Sequence, residues 1–117
     1  MMVKECVFCK IVNGELLAKK IYENKSFFSI PDANPVAEGH SLIISKEHFE
    51  TTLDLPEKIG EDFLDCVKKT ALKVIDERGA KGFNILSNNF ESAGQVVKHA
   101  HFHIIPRKEG DGLKVIA

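Results

Sequence analysis

The stretch His99-Ala100-His101-Phe102-His103-Ile104-Ile105-Pro106-Arg107 decides how the rest of the 117-residue chain is read. Alternate side chains of a strand share a face, so Ala100, Phe102 and Ile104 are expected to enter a core while His99, His101 and His103 line the opposite surface. A strand so apolar on one side needs partners. Lys19 to Glu23 and Ser26 to Ile30 read as a hairpin turning at Asn24-Lys25, Ser41 to Ser45 as a third strand, Gly82 to Ser87 as a fourth, and Ala100 to Pro106 as the fifth. A long helix is expected over Pro56 to Arg78. Pro56 suits a first helical turn, Ile59, Phe63, Val67, Thr70, Ala71 and Val74 recur at helical spacing, and Gly79 is a natural terminator. Residues 6 to 13 form a short helical turn stopped at Gly14. With no repeat or linker, the pattern is α+β: a five-stranded antiparallel sheet, one main helix and a short N-terminal helix, in one domain over residues 1 to 117.

Composition narrows the function classes. Sixteen Lys plus Arg against seventeen Asp plus Glu give a formal charge of −1, which removes the basic footprint of a nucleic-acid-binding protein. No segment is long and apolar enough for a secretory signal or a membrane helix, so no membrane partner is expected and the chain is read as cytoplasmic. Three cysteines, with Cys6 and Cys9 three apart, fit a reducing compartment better than a disulfide framework. Cys66 is expected in the core.

Three of five histidines within five positions mark a site. Two chemistries use such a row. Histidines at i and i+2 can ligate a catalytic metal, or a neutral imidazole can itself be a nucleophile with its neighbours donating hydrogen bonds. The polar loop of Asn88-Asn89 and Gly94-Gln95 favours the second, because glycine lets backbone N–H groups approach a phosphate closely. Ser87 reads as a strand-end residue whose hydroxyl is also near this loop. Cys6-Val7-Phe8-Cys9 read alone is redox-active, metal-binding or incidental; thiolates at this spacing are half of a tetrahedral zinc site, which needs two more ligands.

Gly94-Gln95-Val96-Val97, followed by His99-Ala100-His101-Phe102-His103-Ile104-Ile105 and Pro106-Arg107, resembles the signature of the histidine triad (HIT) nucleotide hydrolases and transferases. The resemblance extends to Asp32-Ala33-Asn34-Pro35, Gly39-His40 and Leu42 to His48, covering about residues 6 to 107. It implies a HIT-like fold that dimerises into a ten-stranded sheet. It also implies hydrolysis at the α-phosphate of a purine nucleotide through a covalent nucleotidyl-histidine. Carried onto this chain, it makes His101 the nucleophile, with His103 bonding the phosphate or leaving group, His40 supporting them, and His99 as the first histidine of the triad. Asn88 and the Gly94, Gln95, Val96 and Val97 backbone would hold the phosphate, and Asp32 the ribose hydroxyls.

The resemblance is closest to members with structural zinc, which implies His48 and His99 as the ligands completing Cys6 and Cys9, and no catalytic metal. Val96 stands where a Ser or Thr often offers a hydroxyl, so phosphate contact there is expected from backbone alone. The expected substrate is an AMP conjugate of the adenosine 5′-phosphoramidate type. The rivals are a dinucleoside polyphosphate hydrolase, a non-catalytic purine-nucleotide-binding module, and a hydrolase whose metal sits in the triad.

Overall fold

The computed structural model describes residues 5–114, and among them the expected sheet is present. Helix α1 (Val7–Val12) is followed by strands β1 (Tyr22–Glu23), β2 (Phe27–Pro31) and β3 (Ser41–Ser45), helix α2 (Gly60–Arg78), and strands β4 (Gly82–Leu86) and β5 (His101–Arg107). The spatial order is β1-β2-β3-β5-β4, with every neighbouring pair antiparallel. The histidine strand β5 is therefore interior.

Each boundary shift has a local cause. Asn24 Oδ1 accepts the N–H groups of Ser26 and Phe27, at 3.1 and 2.9 Å, so the hairpin is closed by a side chain rather than by a glycine turn. Its first strand shortens from the expected Lys19 start to Tyr22. The Pro56 to Arg78 helix begins as a 3₁₀ turn, Glu57–Ile59, and becomes α-helical only at Gly60. It ends as expected, with Gly79 at φ +64°. The last strand begins at His101, not Ala100, because the Ala100 N–H is taken by the Phe49 carbonyl at 2.6 Å.

Two apolar layers hold the sheet. On one face Phe27, Ile43, Phe102 and Ile104 pack against Cys66, Val67, Ala71 and Val74 of α2. Cutting a ring as buried as Phe102 to alanine costs about 3–5 kcal/mol. Burial pushes the Cys66 thiol up to about 11, so it is inert packing, as expected. On the other face Phe28, Ile30, Leu42 and Ile44 pack against Cys6, Phe8 and Cys9 of the N-terminal segment. Ile44 lies opposite His101 and Leu42 opposite His103, so both imidazoles stand on this second face. Gly39, at φ +83°, lets the loop before β3 pass under α2; a Cβ there would lie 2.9 Å from Arg78 Cγ and 3.2 Å from Pro106 Cγ. Residue 40 is thereby delivered beside β5.

Candidate functional site

Backbone groups sort the histidines into distinct roles. His101 Nδ1 lies 2.7 Å from the His99 carbonyl, which only accepts, so Nδ1 carries the proton and the Nε2 lone pair is bare. At His40 the logic inverts. Its Nδ1 accepts the Val36 N–H at 3.1 Å, so Nε2 carries the proton and donates to His103 Nδ1 at 2.9 Å. His103 is left with its proton on Nε2. The pair thus presents one bare nitrogen, on His101, and one N–H donor, on His103, with the rings 5.4 Å apart.

Electrostatics keep His103 and His40 neutral. Burial, and then the His101 and His40 rings, hold His103 below the ordinary imidazole value, with Asp32 opposing. Burial does the same to His40, again against Asp32. Both native pKa values lie below the unfolded value of about 6.5, so in acid the unfolded chain binds protons that the native one refuses. Full stability therefore holds above about pH 6.5 and falls as the pH drops from there through the native values. Urea unfolding should show a lower midpoint at pH 5.5 than at pH 7.5, with a flatter pH dependence in His103→Gln. Equal slopes in the two proteins would refute the assignment.

A metal ion in the triad fits this geometry poorly. To ligate through Nε2, His40 would have to move its proton to Nδ1, against the Val36 N–H that already points there. Asp32 Oδ2 lies 3.3 Å from His40 Nε2 and 3.7 Å from His103 Nδ1, so the three form a cluster, but one whose protons are placed for hydrogen bonding.

His99 is the departure from the expected row. It precedes the strand and is fully buried, so only His101 and His103 share the β5 face. Its Nε2–H donates to the Ser45 carbonyl at 2.7 Å, which leaves Nδ1 bare toward Cys6 Sγ at 3.2 Å, Cys9 Sγ at 3.6 Å and His48 Nδ1 at 3.2 Å. Cys9 Sγ and His48 Nδ1 are 3.2 Å apart, and the four ligand atoms all lie within 4.8 Å of one another. Zinc bonds of about 2.3 Å to sulfur and 2.0–2.1 Å to nitrogen make a tetrahedron with edges of roughly 3.3–3.8 Å, so the donor set and spacing fit. Burial raises the Cys6 thiol and pushes His99 down to about 4, the neutral state that a bound cation would convert to thiolate and ligand.

The loop residues are placed unequally. Gly94 has φ +95° and sits against Asn88, whose carboxamide has no hydrogen-bond partner among the described residues. Val96 is exposed and Val97 packs against the α1 layer. Gln95 is buried and its amide is spent internally: Oε1 accepts the Phe90 N–H at 2.8 Å, and Nε2 donates to the Glu50 and Val97 carbonyls at 2.6 and 3.1 Å. It shapes the loop. Ser87 Oγ donates to the His101 carbonyl at 3.1 Å, so its hydroxyl braces the strand. Asp32 Oδ1 accepts the Asn34 N–H at 2.8 Å, and the carboxylate stays partly open to solvent. Sequence reasoning missed Phe8, whose ring meets those of His99 and His101 edge-on at 5.6 and 5.2 Å. It also missed the Val36 N–H and Ser45 carbonyl, backbone groups that no residue type announces.

Comparison with known proteins agrees with the geometry. A family model described as HIT domain matches residues 13–110. An uncharacterised HIT-like protein of Methanocaldococcus jannaschii is 47% identical over 107 residues, covering 92% of this chain and 82% of that one. An adenosine 5′-monophosphoramidase of Candida albicans is 43% identical over 115 residues, covering 94% and 76%. The crystal structure of a HIT-family member from Bacillus subtilis superposes with a TM-score of 0.89 at 37% identity, covering 97% and 82%.

Proposed function

The chain belongs to the HIT domain family, and from that premise we propose that it is a nucleotide hydrolase cleaving AMP conjugates of the adenosine 5′-phosphoramidate type at the α-phosphate. The observation that carries the reading is the pair of opposed tautomers, a bare Nε2 on His101 beside an N–H donor on His103. His101 Nε2 attacks phosphorus, the bond from phosphorus to the leaving nitrogen breaks, and AMP is left on His101. His103 Nε2–H supplies a hydrogen bond, and then a proton, to the departing amine. Water then attacks the same phosphorus and gives its proton to His103 Nε2, restoring that donor, as the bond to His101 Nε2 breaks and AMP is released. His40 and the Val36 N–H hold His103 in its donor state. Asn88 and the backbone from Gly94 to Val97 take the phosphate oxygens, with Gln95 acting through the loop, and Asp32 takes the ribose hydroxyls. His99 serves the metal set, with Cys6, Cys9 and His48, and a zinc ion there would supply a cross-link between α1 and the sheet.

A panel of adenosine and guanosine phosphoramidates, dinucleoside polyphosphates and nucleotidyl sugars tests this directly. The adenosine phosphoramidate should give the highest kcat/KM. Turnover confined to dinucleoside polyphosphates, or AMP binding without turnover of any conjugate, would sink the proposal in favour of those readings.

The same chain is proposed to act as one domain and as a cytoplasmic homodimer. No helix among the described residues is long and apolar enough to cross a membrane. Edge strand β4 exposes Phe83 and Ile85, the latter at 51%, and α2, which contacts β4, exposes Leu64 and Leu72. An unblunted apolar edge needs cover, and a second copy meeting it two-fold would extend the sheet to ten strands. Because Ile85 is half exposed, Ile85→Asp should leave the fold intact and shift the protein to monomer by sedimentation. Wild-type protein that sediments as a monomer at micromolar concentration would overturn the dimer.

A further inference from the structure

His99 belongs to two centres through two different groups. Its ring Nδ1 stands among Cys6, Cys9 and His48, while its backbone carbonyl accepts the His101 Nδ1–H at 2.7 Å. Phe8 is a second link. It sits between the two cysteines in sequence, and its ring lies edge-on to His99, at 5.6 Å and 90°, and to His101, at 5.2 Å and 66°. We infer that the Cys6, Cys9, His48, His99 centre is a positioning device for the nucleophile, holding the His99 carbonyl and the Phe8 ring where they keep His101 with its proton on Nδ1 and its Nε2 lone pair bare.

The physical argument starts from tautomers. A neutral imidazole carries one proton, and only the Nδ1–H form leaves Nε2 able to attack. Within this chain the His99 carbonyl selects that form. Its hold is short-ranged: a shift of the carbonyl by about 1 Å takes the contact beyond hydrogen-bond distance. The His99 backbone N–H donates to the Val97 carbonyl at 2.9 Å, the next N–H, of Ala100, to Phe49 at 2.6 Å, and the ring Nε2–H to Ser45. Those bonds hold three sides of the residue. Among the described residues the fourth, Nδ1, faces only the ligand cluster.

Phe8 depends on the same cluster. Helix α1 has six residues, too short to be stable alone, and both cysteines that flank Phe8 are ligand candidates. Without a cation, the Cys6 and Cys9 sulfurs make weak contacts with the His99 and His48 rings. With one, each of the four side chains is fixed relative to the other three, and α1 is fixed to the β3 end and to the segment entering β5. The centre would then influence chemistry at a residue that is not one of its ligands.

The kinetic part of this inference rests on the hydrolase reading; the structural part does not. The test uses the full chain labelled with ¹⁵N-histidine, compared zinc-loaded and metal-free by long-range ¹H–¹⁵N correlation. In the loaded protein His101 should report a proton on Nδ1. In metal-free protein it should report averaging between the two tautomers, while His40 and His103, held by Val36 and by each other, keep theirs. In parallel, kcat should fall by about 10–100-fold with KM within about twofold, the range seen when groups around a metal centre are lost, and added zinc should restore both readouts. Phe8→Leu should keep its zinc and lower kcat in the same way.

If complete removal unfolds the chain, His48→Gln, which alters the half-exposed ligand, permits zinc titration in folded protein. The His101 signal and kcat should then both follow occupancy. A folded protein that at zero occupancy still shows His101 in the single Nδ1–H state overturns the inference whatever its kinetics. A loaded protein with ordered His101 and no turnover of any conjugate would instead refute the hydrolase reading alone.

Discussion

His101→Ala should lower turnover of an adenosine phosphoramidate by about 10⁴-fold or more while leaving AMP affinity and the thermal midpoint near those of the parent protein. The expectation follows from what the side chain does before and during reaction. Among the described residues the resting His101 ring makes one hydrogen bond, to the His99 carbonyl, and edge contacts to Phe8 and His103, so its loss disturbs little packing. In the proposed reaction its Nε2 forms the bond to phosphorus, an interaction absent from the ground state, so removing it should cost kcat far more than binding. His101→Gly should behave alike. Near-parental turnover in either variant would eliminate nucleophilic catalysis by this residue, and the remaining histidines would have to be reassigned.

The second large effect concerns the metal set. Protein purified under reducing conditions without chelator should contain one zinc per chain, and Cys6→Ser or Cys9→Ser should contain none. The stability loss is bounded above by the roughly 10–16 kcal/mol of small zinc domains that are unfolded without metal. This chain retains its α2 layer regardless, so the loss should be well inside that bound. At several degrees per kcal/mol for a chain of this size, a fall in Tm of about 10 °C or more is expected. Calorimetry with metal analysis on the same samples checks both halves. Zinc-free parent protein with the same Tm as Cys9→Ser would count against the site.

What could be read from the sequence was whatever side-chain periodicity encodes. Phe102 and Ile104 point into the α2 layer because alternation on a strand demands it, and Val67, Thr70, Ala71 and Val74 fall on one helical face for the matching reason. His99 broke the pattern. Alternation places it with His101 and His103, but the Ala100 N–H bonds to Phe49 instead of a β ladder, so the residue before the strand escapes the rule. Its assignment to the cysteine pair came through family resemblance, not from spacing. The tautomers were beyond reach because Val36, His99 and Ser45 set them with backbone groups, and every residue type offers the same carbonyl. Gln95 shows a related limit: a polar residue in a phosphate-binding loop reads as a ligand contact, whereas here its amide bonds across the loop and to Glu50 and Val97. Phe8 was hidden between two conspicuous cysteines, and only the folded chain shows that its ring meets both histidine rings.

The most direct test of the account is to look for the bond it requires. Native protein mixed with an adenosine phosphoramidate, quenched in base during turnover and digested, should yield a peptide carrying adenylate on His101 by mass spectrometry, since a phosphoramidate survives alkali better than acid. The modification should be absent from His101→Ala and should not appear on His40, His99 or His103. Turnover at the parental rate with no adenylated peptide at any quench time, or adenylate found on a different histidine, would contradict the mechanism derived from the opposed tautomers of His101 and His103.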